Sequence, residues 1–435
     1  MKGTHLLVIS VDALVYEDIA DHAQLPNIAK FFREGSVVQA VRTVYPSLTH
    51  TIHASMMSGN PPARTAIISN THFPSGQWYN KLHELACPSL FHLAKQKGLS
   101  SAACRWPVTA QGFDTIDYLI AEVTKEEVAR QSTLDLLHRV SSPVLWDTVI
   151  KVHQQVLEGK SQPQEDIFST RCAADIIRLY KPHLLMTHPC LVDSTRHHHG
   201  LFHPEVAKAV KTVDSLIGML LQSLEEAGLT ELTNIFVASD HGHLGVKRDV
   251  ALNTFFIRHG LLEHDGKGTI TNWKARAHSC GLSAHIYLSD PCDASLYQEV
   301  ADLLHALSAD SESGISQVFT REEVSRTHGL DGSFSFVVET DGNTQFSDSC
   351  LEPASRNLFV DDHHGSSSHG HLPHKGPQPV LLAMGPDIKA GTILSSCSIL
   401  DEAPTFAHLL GLGFKDVQGR ILTELLAQGD ATIKE

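Results

Sequence analysis

PEVAKAVKTVDSLIGMLLQSLEEAGLTELTNIFVASDHG, residues 204–242, is the stretch that decides the fold class. Its apolar residues recur at gaps of three and four, the spacing of one face of an α-helix: Val206, Val210, Val213, Ile217, Leu220 and Leu224. Pro204 suits the first turn of this helix and Gly228 its end. The apolar run NIFVAS then predicts a strand that ends at Asp240. A helix followed closely by such a strand is typical of a crossover unit in a parallel sheet.

The same alternation of apolar runs and helical patterns extends over the first 250 residues and returns near the end of the chain. LLVIS before Asp12, SSAACRWPV at 100–108 and PVLLAMGP at 379–386 predict further strands, and residues 401–410 predict a final helix. We therefore expect an α/β fold with a mostly parallel central sheet flanked by helices. Its core would comprise residues 1–255 and 356–435.

Residues 256–355 differ in character from the rest of the chain. AHIYLSD (284–290) and GSFSFVVET (332–340) predict strands, with a helix near residues 296–307 between them. Few side chains in this segment are convincing candidates for metal ligands. We expect a smaller inserted α+β cap that packs over the functional site of the core.

The composition excludes two classes of function. The net charge is −15, from 34 Lys and Arg against 49 Asp and Glu, and binding to nucleic acid or to anionic membranes needs basic surfaces. Mean hydropathy is −0.08, and no apolar stretch approaches the roughly 20 residues of a membrane helix. An acidic enzyme can still bind an anionic substrate if metal cations supply the positive field.

The cysteines and the N-terminal residues predict a cytoplasmic location. The first apolar run is short and is interrupted by Asp12, so it predicts a strand rather than a secretory signal. No N-x-[ST] glycosylation site and no CxxC motif occurs. Eight dispersed cysteines are expected to be reduced thiols: Cys87, Cys104, Cys172, Cys190, Cys280, Cys292, Cys350 and Cys397.

Four short clusters of acidic residues and histidines lie at or near the ends of apolar runs. They supply six candidate metal ligands: Asp12, Asp193, His197, Asp240, His241 and His369. Because polar residues that follow parallel strands gather at one edge of a sheet, these side chains could meet there. Carboxylates and imidazoles suit hard or borderline divalent cations, and six of them suffice for a two-metal site.

Each cluster alone has a simpler interpretation. Asp240 could cap a turn that Gly242 closes, Asp12 could be structural, and Asp193 with His197 could belong to a polar surface loop. His369 lies in a crowded tract, and any of its histidines could bind metal adventitiously: His363, His364, His369, His371 and His374. The occurrence of all four clusters in one chain favours a metal site.

A nucleophile is expected within TVYPSLTHTIHASMMSG, residues 43–59. This stretch offers five hydroxyl candidates: Ser47, Thr49, Thr51, Ser55 and Ser58. The absence of a GxSxG motif argues against a Ser-His-Asp hydrolase. A metal-activated hydroxyl at the start of a helix would benefit from the positive end of that helix when it attacks an anionic ester. Spacing alone does not select one hydroxyl, and a Ser/Thr-rich helix cap is the alternative.

Taken together, the motifs resemble the alkaline phosphatase superfamily and, within it, the nucleotide pyrophosphatase/phosphodiesterase-like branch. The matching stretches occur in the same order and span residues 8–411: VISVDAL, YPSLTHTIHASMMSG, VDSTRHHHG, ASDHGH, HGHLP and DEAPTFAHLLG. The resemblance implies an alkaline phosphatase-like core and a metal-dependent hydrolase of phosphate esters, most similar to a phosphodiesterase or nucleotide pyrophosphatase. A small phosphate ester or nucleotide-like compound is the implied substrate, whereas the oligomeric state is not implied.

The resemblance also implies roles for individual residues. Thr49 corresponds to the nucleophile of the family, in the context of Pro46 and Ser47. A first ligand set for one metal would comprise Asp12, Thr49, Asp240 and His241, and a second ligand set would comprise Asp193, His197 and His369. Two divalent metals are implied, with zinc the usual choice and manganese the alternative. The reaction would be an in-line displacement through a covalent phosphothreonine.

One departure leaves the subclass open. The resemblance implies an asparagine three residues after the nucleophile, which would help to hold a phosphate oxygen, but this chain has Ile52 there. The sequence identifies no arginine that must clamp a phosphate monoester, although three are near enough to be considered: Arg42, Arg64 and Arg105. A phosphonate hydrolase or a phosphomonoesterase is therefore the alternative, and an inactive metal-binding homologue is the remote one. A sulfatase is disfavoured because its C/S-x-P-x-R motif is absent.

Overall fold

The computed structural model describes residues 2–129, 132–159, 161–358 and 366–427. Strands in the first half are β1 His5–Ser10, β2 Ser36–Val38, β3 Val41–Arg42, β4 Ser101–Cys104, β5 Tyr118–Ile120, β6 Leu184–Thr187, β7 Thr233–Ala238, β8 Leu244–Val246, β9 Arg248–Ala251 and β10 Leu262–His264. The remaining strands are β11 Ile270–Trp273, β12 Ala275–Ser279, β13 Ser283–Leu288, β14 Ile315–Thr320, β15 Phe336–Thr340, β16 Thr344–Ser347, β17 Ser355–Asn357, β18 Ser366–Ser368, β19 Leu381–Met384, β20 Thr392–Leu394 and β21 Cys397–Ser398.

The helices follow the strands in the alternation that the sequence predicts. They are α1 Tyr16–Ile19, α2 Ile28–Glu34, α3 Thr49–Ser58, α4 Pro62–Thr65, α5 Leu90–Gln96, α6 Lys125–Val128, α7 Thr133–Val140, α8 Lys151–His153, α9 Gln164–Tyr180, α10 Leu191–His199, α11 Pro204–Glu226, α12 Leu252–Arg258, α13 Ala294–Ala309, α14 Arg321–His328 and α15 Glu402–Leu409. The predicted crossover helix is α11, which begins at Pro204 and ends two residues before Gly228. None of the helices in the described ranges is both long and apolar enough to cross a bilayer.

The central sheet has eight strands in the order β20-β2-β19-β7-β1-β6-β4-β5. Its strands are parallel except β19, which runs antiparallel to both β2 and β7. Side chains alternate between two apolar layers, so that Leu6 and Val8 of β1 face one layer while Leu7 and Ile9 face the other. Helices α3, α5 and α15 cover the first face, and α2, α9 and α11 cover the second. The predicted α/β class, with helices flanking a mostly parallel sheet, is therefore confirmed.

The register of the sheet brings the ends of three strands to the same edge. Ser10 of β1 lies opposite Ala238 of β7, and β6 pairs with the other side of β1. Because β19 is antiparallel, it begins where β7 ends, with Leu381 opposite Ala238. Residues that follow β1, β6 and β7 and residues that precede β19 consequently meet at one edge of the sheet.

A second, smaller sheet contains β12-β13-β15-β14, all antiparallel, and packs with α13 and α14. Its own apolar cluster includes Ile286, Val300 and Phe336, and extends to Val250 and Leu252. We call this unit the cap. The predicted elements within it are present as an α+β arrangement, whereas the division of the chain at 256 and 355 stays a prediction.

The cap contacts the core close to the edge where the strand ends meet. The Tyr45 hydroxyl donates to Glu339 Oε2 of the cap at 3.0 Å. In the turn between β12 and β13, the Leu282 N–H donates to the His369 carbonyl at 2.9 Å. Gly370 has φ of +100°, and a Cβ at this position would lie 1.8 Å from the Cys280 carbonyl oxygen. The cap therefore fixes the backbone of the segment that carries His369.

Candidate active site

The six predicted ligands all lie at the edge of the sheet where the strand ends meet. Asp12 follows β1, Asp240 and His241 follow β7, and Asp193 and His197 lie on α10 after β6. His369 arrives from the other direction, between β18 and β19. Gly242 has no room for a side chain, because a Cβ there would lie 2.1 Å from the Pro377 carbonyl oxygen. This close approach, rather than an unusual turn, explains the glycine after His241.

The first ligand set converges on one atom, Nε2 of His241. This nitrogen lies 3.4 Å from Asp12 Oδ1, 3.3 Å from Asp240 Oδ2 and 3.2 Å from Thr49 Oγ1. Asp12, Asp240 and His241 are buried. The Ala13 N–H donates to the other oxygen of Asp240, Oδ1, at 3.1 Å, which orients that carboxylate.

The two carboxylates of this set are poorly compensated by protein groups. Asp12 Oδ1 and Asp240 Oδ2 make no hydrogen bond. Burial, together with the neighbouring Asp193 and Asp240 carboxylates, raises the pKa of Asp12 well above its ordinary value. Burial raises the pKa of Asp240 to about 7. Two buried carboxylates that face each other without a counter-charge fit a divalent cation.

The second ligand set is centred on Asp193 Oδ1, with His197 Nε2 at 3.4 Å and His369 Nε2 at 3.9 Å. Burial disfavours the carboxylate, but His197, His243 and His369 hold the pKa of Asp193 well below its ordinary value. His197 Nδ1 lies 2.9 Å from the Ser367 carbonyl, and His369 Nδ1 lies 2.9 Å from the Ser47 carbonyl. Nδ1–H groups that donate to carbonyls leave both Nε2 atoms as free ligands.

The two sets adjoin each other through stacked imidazoles. The ring of His369 lies on that of His241, with centroids 3.8 Å apart and planes 12° from parallel. Burial lowers the pKa of His369 to about 4 and that of His241 well below its ordinary value, so both rings are neutral at pH 7. Neutral imidazole is the form that binds a metal. These clustered Asp and His side chains could therefore hold metal, while the number of cations and the membership of the two ligand sets stay predictions.

The histidine-rich tract is only partly described. His363 and His364 lie outside the described residues. His371 is buried, and its Nε2 contacts the Lys375 carbonyl at 3.1 Å. Of the described histidines in this tract, His369 is the one that lines the cavity with Thr49.

The structure adds a histidine to the second set that sequence reasoning missed. His243 is buried, and its Nε2 lies 2.7 Å from Asp193 Oδ1. Its Nδ1 lies 3.0 Å from the Ser367 hydroxyl, so the ring connects Asp193 to the strand β18. The available signal was its spacing two residues after His241, because side chains with this spacing in extended backbone share a face.

Two more buried histidines, His188 and His53, lie beside the first ligand set. His188 Nε2 lies 3.2 Å from Asp12 Oδ2, and burial lowers the pKa of His188 to about 4. His53 Nδ1 lies 2.8 Å from the Thr49 carbonyl and 3.6 Å from Asp240 Oδ2. His53 lies one turn after Thr49 on α3, a spacing that would have placed it on the same face of the helix.

Thr49 occupies a distinct position among the hydroxyl candidates. It is the first residue of α3, and of the five it alone lines the cavity that is also lined by four of the predicted ligands, Asp12, Asp193, His197 and His369. Ser47 Oγ accepts from the Gly370 N–H, and Ser55 and Ser58 donate to carbonyls of their own helix. Thr51 is buried inside the protein. The geometry therefore supports Thr49, and its role as nucleophile stays a prediction.

The cavity beside Thr49 has a volume of about 670 Å³ and extends from the ligands to the ends of β4 and β5. Ile52 packs in the apolar core instead of facing it. Asn70, much further along the chain, lines the cavity, and its Oδ1 accepts from the His50 N–H at 3.0 Å. Of the three arginines considered, Arg105 lines this cavity, whereas Arg42 and Arg64 are exposed elsewhere.

Comparison with known proteins places this site in a family. The family model of type I phosphodiesterase / nucleotide pyrophosphatase matches residues 6–370, which is most of the chain and includes every predicted ligand. The chain belongs to this family. It is accordingly a phosphoric ester hydrolase of the alkaline phosphatase superfamily, and its clustered Asp and His side chains suit the metal dependence of the family.

The relatives are distant in sequence, and the length of this chain over which they are similar differs between them. Bis(5'-adenosyl)-triphosphatase ENPP4 of Pongo abelii is 22% identical over 431 residues, covering 94% of this chain and 78% of that protein. Ectonucleotide pyrophosphatase/phosphodiesterase family member 1 of Rattus norvegicus is 26% identical over 218 residues, covering 50% of this chain and 21% of that protein.

Solved structures share the fold. Human ectonucleotide pyrophosphatase/phosphodiesterase 5 superposes with a TM-score of 0.69 at 16% identity, covering 98% of this chain and all of the other. An inactive variant of the murine enzyme, in complex with AMP, superposes with a TM-score of 0.68, also at 16% identity, with 98% of this chain and all of that chain covered.

Proposed function

We propose that this enzyme hydrolyses phosphodiesters of nucleotide-like or other small alcohols, with Thr49 as the nucleophile and two divalent cations bound. The observation that carries the proposal is the convergence of Thr49 Oγ1, Asp12 and Asp240 on His241 Nε2, within 3.2–3.4 Å, beside the second ligand set. The names of the relatives, a bis(5'-adenosyl)-triphosphatase and a nucleotide pyrophosphatase/phosphodiesterase, support nucleotide-like substrates.

The residues present fit the two cations. Asp12, Thr49, Asp240 and His241 would hold one, and Asp193, His197 and His369 the other. Zinc is the proposed metal because the sets mix imidazole nitrogens with carboxylate oxygens, and manganese is the alternative. When bound, such cations lower the pKa of a coordinated hydroxyl and stabilise charge on phosphate oxygens.

Groups of the protein itself then carry out the bond-forming and bond-breaking steps. Thr49 Oγ1 loses its proton and forms a bond to phosphorus, the bond from phosphorus to the first alcohol breaks in line with it, and that alcohol departs with a proton. The N-terminus of α3, where Thr49 lies, carries a partial positive charge that favours the anionic phosphate. The side-chain oxygen of Asn70 is committed to the His50 N–H, so its amide N–H groups can donate to a phosphate oxygen. Water then breaks the phosphothreonine bond and regenerates the hydroxyl.

The charges around the cavity favour a diester over a monoester. Among the described residues that line the cavity, Arg105 is the one arginine. Its guanidinium already pairs with the carboxylates of Glu165 at 3.1 Å and Asp166 at 3.5 Å. A monoester dianion needs an additional cationic clamp, which a neutralised guanidinium does not supply. A phosphonate hydrolase or phosphomonoesterase stays the second candidate.

A substrate panel on protein loaded with Zn²⁺ or Mn²⁺ tests the proposal. An aryl phosphodiester and a dinucleotide should be hydrolysed with higher kcat/KM than an aryl monoester or a phosphonate. A preference for the monoester would contradict the proposed subclass. Failure to hydrolyse any of them, with two metals bound per chain, would favour an inactive metal-binding homologue.

The nucleophile is tested by paired substitutions on α3. Thr49→Ala should lower kcat more than about a thousandfold while most of the bound metal is retained. Thr51→Ala, which removes a buried hydroxyl from the same helix outside the cavity, is the matched control and should keep most activity. Near-full activity of Thr49→Ala would show that another group attacks.

We also propose a cytoplasmic location, with no general binding to nucleic acid or membranes. All eight cysteines are free thiols, of which five are buried, two are half-buried and Cys292 is exposed. Fractionation of the expressing cell, with the enzyme followed by antibody, should place it with cytoplasmic markers. Recovery in an oxidising compartment would contradict the proposal.

A further inference from the structure

Three possible metal ligands lie on the side of Asp12 that faces away from the first ligand set. Oδ1 of Asp12 faces His241, whereas Oδ2 lies 3.2 Å from His188 Nε2. Cys190 Sγ lies 3.9 Å from the same His188 nitrogen, and one ligand atom from each of the three residues lies within 4.8 Å of the other two. We call Asp12, His188 and Cys190 the Cys190 site.

The separations between these atoms suit a tetrahedral cation. Zinc bonds of about 2.3 Å to sulfur and about 2.0–2.1 Å to nitrogen and oxygen place a sulfur and a nitrogen ligand roughly 3.6 Å apart. The same geometry places a nitrogen and an oxygen ligand roughly 3.3 Å apart. The observed separations are 3.9 Å from Cys190 Sγ to His188 Nε2 and 3.2 Å from that nitrogen to Asp12 Oδ2. Small side-chain adjustments would therefore complete the coordination.

Backbone hydrogen bonds hold the Cys190 site in this arrangement. The Asp12 N–H donates to the carbonyl of Pro189, the residue between the other two ligands, at 3.0 Å. The Leu191 N–H, directly after Cys190, donates to the buried Asp166 carboxylate of α9 at 2.8 Å. The segment that carries the imidazole and the thiol is therefore fixed relative to the Asp12 carboxylate before any metal binds.

The charges around the Cys190 thiol favour a cation. Three carboxylates, those of Asp12, Asp166 and Glu122, act on the thiol against one guanidinium, that of Arg105. Burial, together with these carboxylates, raises the pKa of the Cys190 thiol well above its ordinary value. The site therefore favours a cation that can displace a thiol proton. Zn²⁺ and Cd²⁺ bind thiolates strongly, whereas Mg²⁺ and Ca²⁺ prefer oxygen ligands.

The Cys190 site is open towards the cavity beside Thr49. Asp12, His188 and Cys190 all line that cavity, and Cys190 is half-buried. Three protein ligands with a fourth position open to solvent are typical of a site whose cation can exchange, whereas structural zinc sites are closed. A cation at this position would occupy space next to the nucleophile. It would also share the Asp12 carboxylate with the cation of the first ligand set.

We propose that the Cys190 site binds a third cation, Zn²⁺ or Cd²⁺, when the metal exceeds the two equivalents that hydrolysis requires, and that this cation inhibits the enzyme. Inhibition follows because the third cation fills cavity space beside Thr49 and competes with the first cation for Asp12. The inhibition rests on the proposed phosphodiesterase function, whereas the binding of the third cation is measurable without it.

The binding test uses the ultraviolet charge-transfer absorbance that appears when a thiolate binds Cd²⁺. Neither predicted ligand set contains a thiol, so this band reports a cysteine ligand even if Cd²⁺ also replaces Zn²⁺ in those sets. Protein loaded with two equivalents of Zn²⁺ is titrated with Cd²⁺, and the bound metal is counted by mass spectrometry. The wild type should develop the band and bind one further cation per chain.

Paired substitutions identify the thiol. Cys190→Ser should show no band and should bind two cations. Cys87→Ser is the matched control, because Cys87 is also a half-buried free thiol but does not line the cavity, and it should keep both the band and the third cation. Cys190→Ala repeats the comparison if the serine variant does not fold. A band that persists without the Cys190 thiol would overturn the site.

The inhibition is measured with an aryl phosphodiester at increasing Zn²⁺, with each protein normalised to its own kcat at two equivalents. The wild type and Cys87→Ser should lose most of their activity as the third cation binds. Cys190→Ser should need at least about tenfold more Zn²⁺ for half-inhibition, since even the loss of a hydrogen bond to a metal ligand weakens binding 10- to 100-fold.

The outcomes separate the third cation from the activity that it would inhibit. No band in the wild type, with the diester still hydrolysed, would overturn the Cys190 site and leave the phosphodiesterase proposal standing. A band that depends on Cys190 without any loss of kcat would overturn the inhibition. No hydrolysis at any Zn²⁺ concentration would contradict the proposed activity and with it the inhibition, while the band would still decide whether the site binds a cation.

Discussion

Removal of the His243 imidazole should weaken one metal site and spare the other. His243 contacts Asp193 Oδ1 through Nε2 at 2.7 Å, and its Nδ1 lies 3.0 Å from the Ser367 hydroxyl. Through this contact at Nε2, the ring holds the Asp193 carboxylate in place for the second ligand set. His243→Ala therefore releases Asp193 without removing any predicted ligand.

The expected loss of metal affinity follows from the role of residues that hydrogen-bond to a metal ligand. Loss of a hydrogen bond to a metal-binding side chain typically lowers metal affinity 10- to 100-fold, or about 1.4–2.7 kcal/mol. Because His243 contacts Asp193 rather than Asp12 or Asp240, one of the two cations should bind 10- to 100-fold more weakly. The other should bind nearly as in the wild type.

The assay is a titration of metal-free protein with Zn²⁺ against a competing chelator, with metal content checked by mass spectrometry. His285→Ala is the matched control, since His285 is a fully buried imidazole in the cap that stacks on Phe334. Urea unfolding of both metal-free variants corrects for lost stability. Two cations bound with wild-type affinity by His243→Ala, with kcat/KM unchanged, would refute the reasoning.

Three further predictions concern pH, the phosphate and the scaffold. Burial raises the pKa of Asp240 to about 7, so the folded metal-free protein holds a proton that the unfolded chain releases near pH 4. Its free energy of unfolding should therefore fall as pH rises from 5 to 7, while Zn²⁺ affinity rises. A free energy of unfolding that rises over this range, or a Zn²⁺ affinity that falls, would contradict this. Asn70→Ala should lower kcat roughly 100-fold, measured on an aryl diester, if its amide stabilises a phosphate oxygen. Arg196 is buried and donates to the Asp18 carboxylate and to the Ala13 carbonyl beside Asp12, so Arg196→Ala should cost about 3–5 kcal/mol in urea unfolding. A loss below about 1 kcal/mol would show that the pair is dispensable.

The parallel part of the fold was predictable because its signals are local. The helix at Pro204–Glu226 and the strand at Thr233–Ala238 each carry a clear apolar period and lie next to each other in sequence. Parallel pairing then requires Asp12 and Asp240 to leave the sheet at the same edge. The gathering of those two carboxylates follows from topology alone.

The position of His369 depends on information that periodicity lacks. PVLLAMG predicts a strand but not its direction, and β19 proves antiparallel to its neighbours. That direction brings the residues before the strand, rather than those after it, to the ligand edge. The cap then fixes the His369 backbone through Leu282, a contact between residues far apart in sequence.

Residues missed from the sequence share one physical cause. His188 and His243 are buried against Asp12 and Asp193, which belong to other elements. The spacing of His243 from His241 is a weak local signal, and His188 has none that distinguishes it from a surface histidine. The expected asparagine was sought at position 52, on a helix face that packs into the core, whereas Asn70 reaches the cavity from a distant loop. Side-chain direction in irregular segments is set by tertiary packing.

The central claim is a covalent intermediate on Thr49, and the stereochemical course at phosphorus tests it most directly. A chiral aryl phosphorothioate diester, hydrolysed by metal-loaded enzyme in ¹⁸O-labelled water, reports whether one or two in-line displacements occur. Attack by Thr49 followed by attack of water predicts net retention of configuration. Net inversion would mean that water attacks the substrate directly, and would contradict Thr49 as the nucleophile.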